Sequence, residues 1–285
     1  MILIKSHGLG NDYLVLHASS LPMTPARARL ICDRHIGVGG DGVLERLPGQ
    51  GADYGLRIWN PDGSTAEKSG NGLRIFSRYL VDHCGAKSAH TISVASGVVR
   101  STVASDAVTV EMGRATTEPA AVPCTQPLSQ TPVEICGTRL SLTAVGVGNP
   151  HCVVFFSPET DLDALPWREW GAALEVHPLF PNRTNVQFAR VLNRDTIEMR
   201  IWERGAGETT ASGSSSCAVA TAACLHGLVT PRPGERKTAI TLVMPGGELS
   251  VTVREDLSLT LHGPAEEVCW IELSPVFLGS VEKVG

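Results

Sequence analysis

Stretches in which apolar and polar residues alternate recur along the whole chain. A period of two is typical of half-buried antiparallel strands. The alternation predicts strands that include Tyr13–His17, Leu56–Trp59, Thr91–Ala95, Val108–Met112, Arg139–Val145, Val153–Phe156, Thr196–Trp202, Thr238–Val243 and Leu249–Val253. Strands therefore dominate the predicted structure.

Helix-like stretches are fewer. They are predicted at Pro25–Cys32, Gly72–His83, Asp161–Leu174 and Ser215–His226. The second and fourth are apolar and long enough to be buried, so each is a candidate for the central element of a domain. The segment Thr117–Pro132 is rich in Pro, Thr, Gln and Ala, which predicts a connection near a domain boundary.

Two short motifs occur twice at one fixed spacing. The tripeptide RIW at 57–59 recurs at 200–202, and the dipeptide SG at 69–70 recurs at 212–213, each 143 positions later. Two chance matches would not be expected to share a spacing. The period is half of the chain, which is too long for a solenoid repeat. The sequence therefore predicts two similar domains.

A third motif, GxGN at 8–11 and at 146–149, precedes RIW in both halves. We therefore expect an α/β (α+β) fold of two domains related by a pseudo-twofold axis. Each domain would be a curved, mostly antiparallel sheet around a central helix, with a small-molecule site in the cleft between the domains. The predicted N-terminal domain spans residues 1–125, with a strand from about 270–285 added to it, and the C-terminal domain spans residues 126–270.

Composition narrows the function classes. The chain is 42% apolar and 19% charged, with a net charge of −5, and has no clustered basic face for nucleic acid and no apolar run that could span a membrane. The N-terminus lacks the long apolar region of a signal peptide. Eight scattered cysteines without a CxxC pair predict reduced, mostly buried thiols in a cytoplasmic protein, with neither a disulfide framework nor a metal site.

Both copies of SG stand where a polar, glycine-rich loop leads into an apolar helix. Ser69 and Ser212 are candidate N-caps. The first turns would expose the backbone N–H groups of Gly70, Asn71, Gly213 and Ser214. Such helix starts attract carboxylates, and donors aimed at a carboxylate stabilise the charge that forms when its α-proton leaves. Each serine also fits a purely structural cap, an alternative that the residues alone leave open.

Six longer segments surround these motifs. They are GLGNDYLVLHA, RHIGVGGDGVLE, RIWNPDGSTAEKSGNGLRIFSRYL, GVGNPHCVVF, PNRTNVQF and ERGAGETTASGSSSCAVA. In this order they resemble the diaminopimelate epimerase family over most of the chain. The resemblance implies an enzyme of lysine and peptidoglycan precursor biosynthesis that converts LL-diaminopimelate to the meso form without pyridoxal phosphate or metal. Homodimers are common in the family, so a homodimer is a further expectation.

The resemblance also implies roles by position. The residues whose side chains would bind the substrate are Asn11, Asn60, Asn149, Asn185, Glu203 and Arg204. Arg204 suits a distal carboxylate and Glu203 an ammonium group, with Asn60 and Asn185 beside them. His151 and Glu203 would polarise the acid/base pair. Each has a structural alternative as well: a turn asparagine, a buried histidine or a surface ion pair.

The chain departs from the family at the two catalytic positions, where Ser69 and Ser212 stand in place of cysteines. A thiol has a pKa of about 8.5, whereas an alkyl hydroxyl behaves more like water, at about 15.7. The gap of roughly 7 units corresponds to on the order of 10 kcal/mol for forming the base. A serine would therefore need another group that relays the proton.

Three interpretations of the serines are open. The chain is a divergent relative that keeps the reaction, a chain whose cysteines were replaced to trap a ligand, or a relative with a changed substrate. Ser215 and Ser216 also depart from the family pattern, which favours divergence. The corresponding functions are diaminopimelate epimerase, an isomerase or racemase of another amino acid, and a binding protein that lost its catalytic thiols.

Overall fold

The computed structural model describes all residues from Met1 to Gly285, and the chain divides into two compact units. Unit 1 contains Met1–Val110 and Gly263–Gly285, and unit 2 contains Glu111–His262. The sequence placed the divisions at 125/126 and near 270, and those boundaries stay predictions of where the repeat divides. No helix is long and apolar enough to span a membrane.

Eighteen strands carry the fold. They are β1 (Ile2–Gly8), β2 (Asn11–Ala18), β3 (Val43–Leu47), β4 (Tyr54–Trp59), β5 (Thr65–Ala66), β6 (Ala89–Val94), β7 (Gly97–Val103), β8 (Val108–Arg114), β9 (Thr131–Ile135), β10 (Thr138–Gly146), β11 (Pro150–Phe156), β12 (Asn185–Asn193), β13 (Thr196–Glu203), β14 (Gly207–Thr209), β15 (Lys237–Met244), β16 (Gly247–Arg254), β17 (Ser258–Gly263) and β18 (Glu266–Glu272). The helices are α1 (Pro25–Cys32), α2 (Gly70–Cys84), α3 (Trp167–Glu175), α4 (Gly213–Leu225) and α5 (Pro275–Lys283), with a 3₁₀ turn at Leu162–Ala164.

The sheet of unit 1 begins with the antiparallel hairpin of β1 and β2. β2 runs parallel to β3, β3 antiparallel to β4, and β4 parallel to β6. β6 and β7 form a second hairpin. The C-terminal part of the chain returns to this sheet, where β18 pairs antiparallel with β1.

Unit 2 repeats this order. β10 and β11 form a hairpin, β11 runs parallel to β12, β12 antiparallel to β13, and β13 parallel to β15. β15 and β16 then form the second hairpin, and short β14 pairs with β13 as β5 pairs with β4. The repeat predicted from the RIW and SG motifs is therefore confirmed, and with it the α/β fold class of two similar domains.

One buried helix packs against the sheet of each unit. α2 contacts β1, β2 and β7, and α4 contacts β10, β12 and β16. α2 is buried from Gly70 to Ser77, and α4 is buried throughout Ala218–Ala223. Burial of these apolar faces, more than intrinsic propensity, stabilises both helices. Gly85, with a φ of 67°, ends α2 in the left-handed conformation that glycine adopts without strain.

Two element predictions were wrong. The helix predicted at Asp161–Leu174 is divided into the 3₁₀ turn and α3, because Pro166 between them has no N–H and disfavours helical backbone before it. The strand predicted at about 270–285 ends at Glu272, and α5 follows it. Ser274 caps α5, and the proline after it suits the first position of a helix.

Candidate active site

Ser69 occupies the N-cap of α2, as predicted. Its Oγ accepts the N–H of Gly72 at 3.0 Å, and its backbone is extended, with a φ of −138°. Glycine at position 72 suits this close approach, because a Cβ there would lie 3.3 Å from Ser69 Oγ and 3.2 Å from Leu44 Cδ2. The serine is half-buried, at the start of a buried helix.

A second donor reaches Ser69 Oγ from β2. The Tyr13 hydroxyl donates to it at 3.2 Å, and Tyr13 is 7% exposed. A hydroxyl oxygen accepts two hydrogen bonds and donates one. Because Gly72 and Tyr13 fill both acceptor positions, the single O–H of Ser69 can point toward a third group. Sequence reasoning missed Tyr13, which is 56 positions from Ser69.

Asn11 and Asn71 are hydrogen-bonded to each other beside Ser69. Asn71 Nδ2 donates to Asn11 Oδ1 at 2.9 Å, and Asn11 Nδ2 donates to Asp41 Oδ2 at 2.7 Å. The fully buried Arg74 donates to Asn71 Oδ1 at 2.9 Å and to Gly70 O at 3.3 Å. The first turn of α2 and the β1–β2 turn are thereby held in one rigid arrangement.

Asn60 lies in the turn that follows β4. Its Nδ2 donates to Ser64 Oγ at 2.9 Å, and its backbone N–H donates to Ser64 O at 2.8 Å. Gly63 closes the turn by donating to Asn60 O at 3.0 Å, with a φ of 82° that glycine tolerates. Asn60 is half-buried, and its predicted contact with a substrate stays a prediction.

Ser212 occupies the N-cap of α4, the equivalent position in unit 2. Its Oγ accepts the N–H of Ser215 at 3.5 Å, longer than at Ser69, and the residue is 4% exposed. Ser216 Oγ donates to Ser212 O at 2.8 Å. Gly213 and Ser214 form the first turn, as the sequence predicted.

His151 on β11 is fully buried, and both of its ring nitrogens have partners. Gln187 Nε2 lies 3.1 Å from Nδ1, and Asn149 Oδ1 lies 2.9 Å from Nε2. An amide nitrogen only donates, so Nδ1 accepts and the proton is on Nε2, which donates to Asn149. Burial, together with the charge of Arg204, lowers the pKa of His151 to about 3. The imidazole is therefore neutral.

A chain of side chains connects His151 to the start of α4. Gln187 Nε2 also donates to Ser215 Oγ at 3.0 Å, and the N–H of Ser215 is the one that Ser212 Oγ accepts as the helix cap. His151 thus reaches Ser212 through two intermediate residues rather than by a direct hydrogen bond. Sequence reasoning missed Gln187, whose position inside an apolar strand gave no signal beyond one polar side chain among buried neighbours.

The loop after β13 is fastened by Asn185 and Glu175. Arg204 N donates to Asn185 Oδ1 at 3.0 Å, and Asn185 Nδ2 donates to Pro150 O at 2.9 Å. Glu175 Oε1 accepts the N–H of Gly205 at 2.8 Å and also pairs with Arg183. This Glu175 side chain is 8% exposed, and sequence reasoning missed it because it ends a helix that reads as a surface helix.

Glu203 and Arg204 themselves are half-buried at the end of β13. Arg204 Nη1 donates to Asn182 O at 3.3 Å, so at least one edge of its guanidinium is anchored. Within unit 2 the structure links Asn149, His151, Asn185, Arg204 and Ser212 through neighbouring strands and their hydrogen bonds. No three or more His, Cys, Asp or Glu side chains are grouped as metal ligands.

Comparison with known proteins places these motifs in one family. Residues 3–118 and 143–268 match the family model described as diaminopimelate epimerase. A protein named diaminopimelate epimerase 2, from a Nostoc species, is 41% identical over 279 residues, which cover 95% of this chain and 94% of the relative. The diaminopimelate epimerase of Synechococcus elongatus is 39% identical and covers 98% of this chain and 97% of its own.

Solved structures share the fold at low sequence identity. A probable proline racemase from Agrobacterium radiobacter has a TM-score of 0.72 at 16% identity, covering 96% of this chain and 93% of its own. A hydroxyproline epimerase from Agrobacterium vitis has a TM-score of 0.71 at 15% identity, covering 97% and 93%. At this identity the likeness supports the fold alone.

Proposed function

The chain belongs to the diaminopimelate epimerase family, and from this membership we propose that it is an isomerase that interconverts LL- and meso-diaminopimelate. The reaction removes the proton of one α-carbon and returns a proton to the opposite face. The observation that carries the proposal is the repeated half-site. In each unit, a serine caps a buried helix at the same step of the same topology.

In each unit, the start of the buried helix offers candidate donors for the reacting carboxylate. Backbone N–H groups in the first turn of α2 and of α4 belong to Gly70, Asn71, Gly213 and Ser214. When the α-proton leaves, negative charge moves onto the carboxylate. Donors that are already fixed stabilise this charge more in the transition state than in the ground state, and the Asn11–Asn71–Arg74 bonds support such fixed donors.

The residues around the end of β13 would hold the distal amino-acid end of the substrate. A guanidinium such as that of Arg204 pairs with a carboxylate through two parallel hydrogen bonds, and a carboxylate such as that of Glu203 pairs with an ammonium group. Asn185 supports this role because it fixes the backbone of Arg204.

His151 and Asn149 would act as neutral positioning groups. With a pKa of about 3 and both nitrogens bonded, His151 is a poor proton carrier near neutral pH. Its bonds instead fix Gln187, which fixes Ser215 at the N-terminus of α4. Glu203 remains the candidate for polarising the acid/base pair of serines.

Family membership also supports expectations about cofactors, partners and location in the cell. We propose that the enzyme works without pyridoxal phosphate or metal, on a small-molecule substrate, as a homodimer and without nucleic acid. Eight free cysteines, four of them buried, support a cytoplasmic setting in which thiols stay reduced. Cys136 and Cys269 are exposed, so burial is less general than expected.

The test is incubation of the chain with LL-diaminopimelate in D₂O, followed by NMR of the α-protons. We expect loss of α-proton signal together with formation of the meso isomer. A panel of other L-amino acids, separated by chiral chromatography, tests for a different substrate. If diaminopimelate binds in calorimetry but loses no α-proton at micromolar protein, the chain is a binding protein and the proposal is wrong.

A further inference from the structure

A partner of lower pKa makes it easier for a serine to exchange an α-proton. An alkyl hydroxyl has a pKa near that of water, about 15.7, whereas a phenol has a pKa of about 10. A phenol in contact with the serine would therefore make the ionised state of the pair about six orders of magnitude more accessible. The hydrogen bonds of Ser69 show such a phenol in unit 1.

We propose that Tyr13 relays protons to and from Ser69, exchanging a proton with its hydroxyl while that hydroxyl exchanges one with the α-carbon. This inference rests on the proposed function. Ser69 is the group that touches the substrate, and Tyr13 is a positioning residue that acts through it. The relay explains how a serine can transfer a proton at a position where the family has a thiol.

The geometry suits a relay. Tyr13 donates to Ser69 Oγ at 3.2 Å, and the second acceptor position of that oxygen is taken by Gly72 N at 3.0 Å. The remaining O–H of Ser69 can therefore point toward a substrate held at the α2 N-terminus. Tyr13 is 7% exposed, so bulk water does not compete strongly for its hydroxyl. Glycine at 42 leaves room for the ring, because a Cβ there would lie 2.8 Å from Tyr13 Cε1.

The steps balance without any redox partner. In one direction the α-carbanion takes the proton of Ser69, forming the C–H bond, and Ser69 Oγ takes the proton of Tyr13, which becomes tyrosinate. In the other direction tyrosinate takes the proton of Ser69 while Ser69 Oγ takes the α-proton, and the C–H electron pair stays on the carbon. Each direction moves two protons and changes no oxidation state.

Unit 2 has a different arrangement at the equivalent serine. The hydrogen bond to Ser212 Oγ comes from the backbone N–H of Ser215, at 3.5 Å. A peptide N–H stays bound to its nitrogen at any pH the enzyme meets, so it stabilises charge on Ser212 without exchanging a proton. The phenol relay is therefore a feature of unit 1, and a change at Tyr13 affects one of the two proton transfers.

The first test is Tyr13→Phe with Tyr79→Phe as the matched control. Tyr79 is also buried in unit 1, but its hydroxyl contacts His17 Nδ1 at 3.3 Å and not Ser69. We expect Tyr13→Phe to lower kcat by about 10²–10⁴-fold, the range for a general acid–base group, with KM changed little. Tyr79→Phe should keep the wild-type kcat. Equal kcat values for wild type and Tyr13→Phe would overturn the relay.

The second test separates a relay from a purely structural role. In a Ser69→Cys background the thiol ionises by itself, with a pKa of about 8.5, and needs no phenol. We therefore expect Tyr13→Phe to lower kcat by less than about 3-fold in that background. If Tyr13→Phe lowers kcat as much in the Ser69→Cys background as it does in wild type, Tyr13 only holds the fold, and the relay is wrong.

The pH profile gives a third readout. Since the reactive form of the pair is ionised, wild-type kcat/KM should rise with pH, by about tenfold per pH unit, on the acid side of that ionisation. This rise of kcat/KM with pH should be absent in Tyr13→Phe. In Ser69→Cys its apparent pKa should move toward about 8.5, the value of a thiol. A pH-independent wild type would overturn the relay alone. A wild type that turns over no diaminopimelate, even as Ser69→Cys with Ser212→Cys, would overturn the proposed function and the relay with it.

Discussion

Gln187 offers a sharp test of the hydrogen-bonded chain behind Ser212. Its side chain is fully buried, and its single amide nitrogen donates both to His151 Nδ1 and to Ser215 Oγ, while its Oε1 has no partner. Gln187→Leu keeps most of the volume and removes both donated bonds. Two buried acceptors then lose their donor, at about 1–3 kcal/mol each, and one unpaired acceptor disappears with the amide. The expected net loss is about 1–3 kcal/mol of unfolding free energy.

Urea unfolding of four proteins measures this coupling: wild type, Gln187→Leu, Ser215→Ala and the double variant. Ser215→Ala alone should cost about 1 kcal/mol, since one neutral hydrogen bond is lost. In the double variant the unpaired Ser215 oxygen is also gone, so its stability should equal or exceed that of Gln187→Leu. Additive losses from the two substitutions would refute the hydrogen bond from Gln187 to Ser215.

Three further predictions concern separate parts of the chain. Arg204→Lys should raise KM for diaminopimelate about tenfold or more in steady-state kinetics, with kcat nearly unchanged, because a point charge replaces a bidentate contact; a changed kcat with constant KM would contradict it. Burial raises the pKa of Asp12, but hydrogen bonds from Arg34 and Lys5 outweigh it and lower the pKa to about 2. The ionised Asp12 therefore stabilises the fold above about pH 4, and this stabilisation is lost as the pH falls through about 2. In acid unfolding, Asp12→Asn should reduce the change in unfolding free energy over this pH range by about 1–2 kcal/mol. Gly72→Ala should destabilise the cap of α2 in thermal unfolding, whereas Gly279→Ala in α5, where a Cβ meets nothing within 4 Å, should stabilise by about 0.4–1 kcal/mol; the same sign for both would contradict the steric argument.

The positions of many strands could be predicted because alternation survives wherever one face of a strand is buried. β16, predicted as Leu249–Val253, shows this alternation, because Leu249, Val251 and Val253 are buried and the residues between them are less so. β12 was not predicted, because its first five residues, Asn185–Ala189, are all buried, and buried and exposed positions therefore do not alternate along it. β18 was placed too late in the chain, at about 270–285 instead of Glu266–Glu272, because most of its residues are exposed and show no alternation.

The two serine caps could be found from sequence because a repeat marks equivalent positions without any structure. Their partners could not. Tyr13, Gln187 and Glu175 come from elements distant in sequence, and only the tertiary fold brings their polar atoms to the helix starts and the β13 loop. A tyrosine in an apolar strand reads as a core residue until its hydroxyl is seen 3.2 Å from Ser69 Oγ.

Pro166 shows a different limit of predicting helix boundaries from the spacing of apolar residues. Apolar spacing through Asp161–Leu174 fits one helix, and the proline within it was outweighed by that period. The missing N–H at 166 decides the structure, so α3 begins only at Trp167. Where a single backbone constraint opposes a pattern of side chains, the constraint determines the boundary.

The central claim is that Ser69 and Ser212 invert one α-carbon of diaminopimelate. The most direct measurement is formation of meso-diaminopimelate from the LL isomer, followed by chiral chromatography for wild type, Ser69→Ala and Ser212→Ala at equal concentration. Both alanine variants should stay folded, since loss of a cap costs about 1 kcal/mol. The account predicts conversion by wild type and a loss of at least about 10²-fold in each variant. Conversion by either variant at the wild-type rate would contradict it.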